Sequence, residues 1–557
     1  MIKNTVEMNQ KPPKIWSYQQ QLSTFPLQGI TAGQLLENAA KKYPDRLAVI
    51  SAYQSKSITF GELLTQADRF AAGLMNIGIA KGDYVAIWAP NSIEWVIVSL
   101  GCARGGFVLA QLNHSYKSNE LLYSVNKVGI KALVCGCNSV KQNYYSILKQ
   151  VDDRMFQTKE TLPKVKSAKM ESLQFVISLT DNEGTIPYND VFSQATATTL
   201  KYIKNNQYKL SMDDPLNIQF TSGSTGNPKA ALLSHHNVVN NSYSIGRRFG
   251  MHEKHHSICV SVPFFHTFGT TVGIFCALNF GATLVLPYNY YDPKQCFQTI
   301  AQHKCSIIYG TPTMYVDLIA QQKQLNIEIL PEIICTGGAP YTKQLINDVF
   351  ERLKPKYIVN VYGMTEGSAV MYQSNRQSEN IKIFLGDHIE AKVIDENGII
   401  VPIGTPGELC VRGYNTMIGY YNDDDLTSKT FMKNRWLRTG DKFVMYDDLS
   451  GQVIGRIKDI IIRGGENIHP KEIEDYISTH PSILNVVGLP HVRLGEEICA
   501  CVRLEDNMII TLDEIKDFCK QHMAHYKIPS KMHIVNEFPK TTSGKIQKFK
   551  LVQQLTQ

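Results

Sequence analysis

The chain has 557 residues, too many to share one hydrophobic core, so two or more domains are expected. Its composition, 43% hydrophobic and 19% charged, is that of an ordinary globular protein and not of a disordered or fibrous one. The formal net charge of +7 is dispersed, which excludes a nucleic-acid surface built on a basic block with interleaved aromatics.

In chain order, the N-terminal MIKNTVEMNQKPPKIWSYQQQ lacks the apolar core of a secretory signal and, without Arg, is a poor mitochondrial presequence. The C-terminal LTQ is no peroxisomal address. Residues 30 to 130 alternate helix-like and strand-like stretches. TFGELLTQADRFAAGLMNIG puts Leu63, Leu64, Ala67, Phe70, Ala71 and Leu74 on one helical face and stops at Gly78. DYVAIWAP and FVLAQLN read as buried strands flanking SIEWVIVSLGCARGG, a helix capped by Ser92. This is the βαβ rhythm of a parallel sheet.

Residues 138 to 172, rich in Lys, Gln and Asn, read as surface helix and loop. From His255 to Tyr291 no Asp, Glu, Lys or Arg occurs, a length that would cover a bilayer. Pro263, Gly269, Gly273, Asn279, Gly281 and Pro287 divide it, so TTVGIFCALNFG is read as a buried helix and ATLVLP as a buried strand. CSIIYG, IICTGG and KYIVNVYG read as three strands ending at glycine turns, which places a ligand crevice along one sheet edge. Residues 384 to 455 carry short strands and turn signals, expected to form a small antiparallel or barrel-like subdomain. After GRIKD, helices PKEIEDYISTH and LDEIKDFCKQHM and strands ICACVRLE and KMHIVNEF make a separate α+β unit. The division is therefore a 1–28 extension, a large α/β domain of doubly wound sheets over 29–457, and a small mobile domain over 458–557.

The twelve cysteines show no disulfide framework. The pairs Cys135/Cys137 and Cys499/Cys501 lie in strand-like runs, where neighbouring side chains point to opposite faces, and no further zinc ligands accompany them.

FTSGSTGNPKA, residues 220 to 230, is a loop of a different kind. Gly223 and Gly226 permit close backbone approach, Thr221, Ser222, Ser224 and Thr225 offer hydroxyl donors, and Lys229 adds a point charge. Such a loop can wrap phosphates, and it can equally be a flexible linker. It is not a Walker A loop, because Gly226 is followed by Asn227, Pro228 and Lys229 and then by the strand-like AALLSH.

TSGSTGNPKA, YGMTEG, LRTGD, GRIKDIIIRGGENIHPKEIE and PKTTSGKIQK, in that order, resemble the adenylate-forming (AMP-binding) superfamily of acyl-CoA synthetases, luciferases and peptide-synthetase adenylation domains. The likeness spans most of the chain, and IIIRGGENIHP, GEEICACVRL and SGKIQKFKL look most like the medium-chain fatty acyl-CoA synthetases of the acyl-CoA synthetase family member 2 type. The resemblance implies ATP, Mg2+ and coenzyme A as reactants or cofactor and a fatty acid as substrate. It implies the mitochondrial matrix as location, with the cytosol as the alternative, and is compatible with a homodimer. An aryl-CoA ligase, a luciferase-like enzyme, or a nucleotide-binding protein without catalysis are the competing functions.

By the same resemblance Tyr362 stacks on adenine, with Gly363 beside it and Gly337, Gly338, Ala339 and Pro340 on the other side of the base. Thr365 bonds the α-phosphate and Glu366 binds Mg2+. Asp441 accepts from the ribose hydroxyls, and Arg456 reaches the ribose or phosphates. His266 borders the acyl pocket. Lys545 bridges the carboxylate and the α-phosphate, Lys458 is the hinge, and Arg463, Gly464, Gly465 and Glu466 meet coenzyme A. The residues alone leave open a core tyrosine, a helix-start acid, a turn aspartate, a surface ion pair, a histidine satisfied by backbone and a tight glycine turn.

Overall fold

Strands buried on both faces need unbroken apolar side chains, and that requirement sets the frame here. The computed structural model describes the chain except residues 1–14, 139–141, 158–161, 222–227, 339–342, 377–381, 460, 464–465, 469, 478–482, 492–494, 505–508, 521–522, 524, 542–545 and 557. The runs Thr283–Leu286, Ile307–Gly310 and Ile333–Gly337 are buried throughout. They belong to a parallel array ordered Tyr357–Tyr362, Ile333–Gly337, Ile307–Gly310, Ser257–Val260, Thr283–Leu286 and Leu47–Ser51. Helices Pro293–Gln302, Pro312–Leu325 and Lys343–Leu353 cover one face of it through Phe297, Leu318 and Val349.

Past Tyr362 the sheet continues as antiparallel strands, reaching Tyr18–Gln20 at its far edge in a 15-stranded whole. The antiparallel character agrees with the turn signals of residues 384 to 455. Closure does not: Val361 pairs with Gln373, so the ladder runs on from the parallel array and the described strands form an open extension instead of a barrel.

A second, 8-stranded sheet is ordered Gly419–Tyr420, Lys229–Ser234, Pro215–Thr221, Val108–Gln111, Tyr84–Trp88, Ala132–Cys135, Phe175–Ser178 and Ile186–Pro187. Helix Ile93–Gly105 is buried almost all round, capped by Ser92 Oγ accepting from the Trp95 N–H at 3.1 Å. Helix Phe60–Asn76 opens on a capping box of Thr59 and Glu62, and Gly78 ends it at φ +109°. Its predicted apolar face is buried apart from Leu64, which is half-buried.

The uncharged segment is internal. Phe268–Phe275 winds as a π-helix and continues as α-helix Cys276–Phe280, all but Asn279 buried. A Cβ on Gly269 would stand 2.1 Å from the Pro263 carbonyl oxygen, so the wide turn demands glycine there. Among the described residues no helix is long and apolar enough to cross a membrane.

The C-terminal unit is a 5-stranded sheet. Ile473, Ile477 and Ile515 of helices Pro470–Ile477 and Leu512–Lys520 cover one face, and Phe538 and Leu551 cover the other. Cys499 and Cys501 both pack on the second face, which corrects the expectation of opposite faces: a strand repeats every two residues, so C-x-C side chains share a side. All twelve cysteines are free.

One buried group carries a pH prediction. His235 Nδ1 accepts from the Ala32 N–H at 3.1 Å, and burial lowers the His235 pKa to about 4. As pH falls below 6.5 the unfolded chain takes up a proton that the folded chain refuses until about pH 4, so stability is lost across that window. The loss from His235 is about 2 kcal/mol at pH 5. Chemical denaturation at pH 7 and pH 5 measures it. His235→Asn, which keeps an acceptor near the Nδ1 position, should show a smaller pH 5 deficit; an equal deficit would remove His235 as the cause.

Candidate functional site

The hydroxyl-rich loop hangs from a hairpin. Strands Pro215–Thr221 and Lys229–Ser234 pair antiparallel with Thr221 opposite Lys229, so the loop's two ends are held together. Ser222, Gly223, Ser224, Thr225, Gly226 and Asn227 lie outside the described residues, and Pro228 re-enters the chain beside Lys229. Gln219 Nε2 donates to Thr270 Oγ1 at 3.1 Å, and that hydroxyl lies 3.0 Å from the His266 carbonyl oxygen. The segment carrying His266 is thereby tied to the hairpin. His266 Nδ1 accepts from the Phe268 N–H at 3.2 Å, the backbone partnership that the sequence left open.

The short strand Gly419–Tyr420 adds to the other side of the hairpin, with Tyr420 opposite Ala231. The Tyr420 hydroxyl donates to Glu366 Oε1 at 2.6 Å, and Lys229 Nζ stands 5.4 Å from the centre of the Tyr420 ring. Thr365 and Glu366 occupy a 3-10 turn, Thr365–Gly367, entered from strand Tyr357–Tyr362, and both are buried. The chain then doubles back through Ser368 (φ +60°) and Ala369 (φ +128°), left-handed conformations costly for side-chain-bearing residues. Gly363 lies under that return: a Cβ there would meet the Ala369 carbonyl oxygen at 1.7 Å.

A second cluster begins three residues earlier. The Tyr362 hydroxyl donates to Asp441 Oδ2 at 2.6 Å, and Arg456 Nε pairs with Asp441 Oδ1 at 2.7 Å. Asp441 and Arg456 face each other across adjacent strands, and the Asp441 side chain is buried. Burial, followed by the Asp441 charge, raises the Tyr362 pKa well above its ordinary value, so the ring keeps its proton. Burial disfavours the Arg456 charge, but Asp441, Tyr362 and Glu366 outweigh it and raise its pKa. Arg456 thus links the two clusters in one field.

Gly337 lies opposite Val361 at the neighbouring strand end, where a Cβ would come 2.5 Å from Val361 Cγ2, and Gly338 follows at φ +81°. Ala339 and Pro340 lie outside the described residues. The structure therefore gathers Thr221, Lys229, Gly337, Gly338, Tyr362, Gly363, Thr365, Glu366, Asp441 and Arg456 along linked strand ends. Arg463 and Glu466 face each other on the C-terminal sheet instead. Gly464, Gly465 and Lys545 fall outside the described residues, as does the Lys458 side chain, whose backbone belongs to the turn Ile457–Asp459.

This arrangement offers a clamped glycine-rich loop for an anion, a buried carboxylate beside a fixed guanidinium, and a second buried carboxylate, Glu366, hydrogen-bonded by a neutral hydroxyl. A hard divalent cation suits Glu366, because such ions take oxygen ligands and Mg2+ uses one or two carboxylates plus substrate phosphates. No group of three or more His, Cys, Asp or Glu side chains placed to hold a metal ion occurs among the described residues. Sequence reasoning missed Tyr420. Its two-residue strand has no periodicity to read, and its partner lies 54 residues away.

The AMP-binding enzyme profile matches residues 36–421, and the AMP-binding enzyme C-terminal domain profile matches residues 472–545. The mitochondrial medium-chain acyl-CoA ligase ACSF2 of Homo sapiens is 38% identical, over 97% of this chain and 90% of that protein. The putative acyl-CoA synthetase YngI of Bacillus subtilis is 35% identical, over 94% and 96%. Among solved structures, ATP-bound MatB from Rhodopseudomonas palustris superposes with a TM-score of 0.79 at 23% identity, over 94% of this chain and 99% of that one.

Proposed function

The chain belongs to the AMP-binding enzyme family, as an ATP-dependent, AMP-forming acyl-CoA ligase, and from that premise we propose that it converts medium-chain fatty acids to their coenzyme A thioesters in mitochondria. The observation that carries the reading is the continuous set from the loop mouth at Lys229 through Tyr420 and Glu366 to Tyr362, Asp441 and Arg456. The mitochondrial medium-chain assignment follows relatives such as the human medium-chain ligase.

Two half-reactions are required. A carboxylate oxygen attacks the α-phosphorus of ATP and expels pyrophosphate; the coenzyme A thiolate then attacks the acyl carbonyl and expels AMP. Carboxylate and phosphates repel one another, so the protein must align them and supply positive charge. Tyr362 presents its ring to the base, with Gly337 to Pro340 opposite it. Asp441 accepts from the ribose diol, and Arg456 stays within reach of ribose and phosphate. The loop from Thr221 to Lys229 cradles the outgoing pyrophosphate, and Thr365 bonds the α-phosphate. Glu366 would hold Mg2+, which when bound offsets phosphate charge. Lys545 brings an ammonium to the carboxylate and α-phosphate. Rotation of the 458–557 unit about Lys458 then withdraws Lys545 and presents Arg463 to Glu466 to the thiol. His266 borders the acyl group.

The test is an acid panel with ATP and coenzyme A. Thioester and AMP should appear together, fastest with acids near octanoate. ADP as the product would overturn the chemistry, and preference for aromatic acids would overturn the substrate.

A further inference from the structure

The residue that joins the nucleotide hairpin to the Glu366 carboxylate is Tyr420, and the roles above leave it unused. Its hydroxyl is 2.6 Å from Glu366 Oε1. Its backbone is fixed from three sides. It pairs with Ala231 in the hairpin strand, its N–H donates to Thr427 Oγ1 at 2.9 Å, and the next N–H, of Tyr421, donates to the Ala230 carbonyl at 2.8 Å. Its ring, 5% exposed as a residue, lies beneath Lys229 Nζ. Glu366 comes from the other large sheet, on the turn that follows Tyr362. The Met417 N–H donates to the Glu366 carbonyl at 2.9 Å, so the segment leading into the strand of Tyr420 also holds the Glu366 backbone.

We infer that Tyr420 is a positioning residue for adenylation: its hydroxyl fixes the Glu366 carboxylate in the orientation that receives Mg2+, and its ring keeps Lys229 of the nucleotide loop in register with that carboxylate. This rests on the ligase reading above and deepens it. A carboxylate has about four lone-pair sites, and one neutral donor occupies one while leaving the charge whole for a cation. A cationic donor in the same place would cancel the charge that the metal needs. Groups that orient a metal ligand typically change metal affinity or activity by about 10–100-fold when removed. The Lys229 contact adds a cation–π interaction that a phenylalanine ring retains.

The experiment compares the full-length protein with Tyr420→Phe, Glu366→Gln and the double variant. The readouts are Mg2+ titration of ATP-analogue binding, metal-free ATP binding, and single-turnover acyl-AMP formation. Tyr420→Phe should raise the half-saturating Mg2+ about tenfold, slow acyl-AMP formation about 10–100-fold, and change metal-free ATP binding less than about twofold. On the Glu366→Gln background the same change should add less than about twofold, because it acts through a carboxylate already lost. Additive effects, or unchanged half-saturating Mg2+ in a Tyr420→Phe protein of wild-type melting temperature, overturn the inference. If Tyr420→Phe unfolds, Thr427→Val, which removes the hydroxyl that accepts from the Tyr420 N–H and donates to the Asp423 carbonyl, serves instead, and a wild-type Mg2+ requirement in that variant equally overturns it. A wild-type protein that binds nucleotide without forming acyl-AMP would overturn the ligase reading itself, a result distinct from these.

Discussion

Lys545→Ala lowers acyl-adenylate formation by about 10²–10³-fold, the loss of one charge-stabilising donor aimed at a transition state. ATP binding should change far less, because the proposed reading gives the base, ribose and phosphates to the hairpin loop, Tyr362, Asp441 and Arg456 and not to Lys545. Rapid-quench measurement of acyl-AMP separates the two. The second half-reaction supplies the sharper contrast: given preformed acyl-AMP and coenzyme A, the variant should make thioester at close to the wild-type rate, since the proposed rotation would already have withdrawn the lysine. Lys545→Arg should recover adenylation only in part, because a planar guanidinium does not reproduce a point charge. Unchanged adenylation in Lys545→Ala would remove the residue from the mechanism. Impairment of both halves alike would point to a folding defect in the C-terminal unit.

Gly363→Ala is the second large effect, and it follows from packing alone. The added Cβ would lie 1.7 Å from the Ala369 carbonyl oxygen, and 2.6 Å from the Ala369 carbonyl carbon. Neither is a flexible side-chain tip, so the chain must open where it doubles back between Tyr362 and Thr365. Overpacking of this kind typically costs about 1–3 kcal/mol, and a shift near 1 Å at a reacting centre costs about 10²-fold in rate. The variant should fold with a reduced melting temperature and lose about 10²-fold in kcat/KM for ATP. Gly273→Ala is the comparison, since its Cβ meets nothing nearer than 3.7 Å. Equal behaviour of the two variants would show that the close return is not what holds the site.

Much of this site is legible in the sequence because its residues sit at punctuation. Gly337, Gly338 and Gly363 close apolar runs that can only be buried parallel strands, so the crevice along their ends follows from the pattern. Asp441 and Arg456 are readable as motif members, but their ion pair is not, for it depends on the register between Trp436–Met445 and Ser450–Arg456, which shifts between Lys442 and Phe443. Tyr420 leaves no trace, since an element of two residues has no period. The uncharged run from His255 to Tyr291 shows the reverse case: its helix is plain from apolarity, whereas neither its π winding nor the close approach of Gly269 to the Pro263 carbonyl is. Open or closed antiparallel strands likewise cannot be told from turn residues, because the pairing of Val361 with Gln373 decides it.

The closed mouth of the hairpin has a consequence for which changes this protein can accumulate. Thr221 is paired opposite Lys229, so the strand that leaves the loop is held in a fixed register with the strand that enters it. A single insertion or deletion within strand Lys229–Ser234 would flip every later side chain to the opposite face, exchanging Ala231 and Leu233 with the side that Ala230 and Leu232 pack and uncoupling Tyr420 from the loop. Divergence along this stretch should therefore proceed by replacement and spare its length.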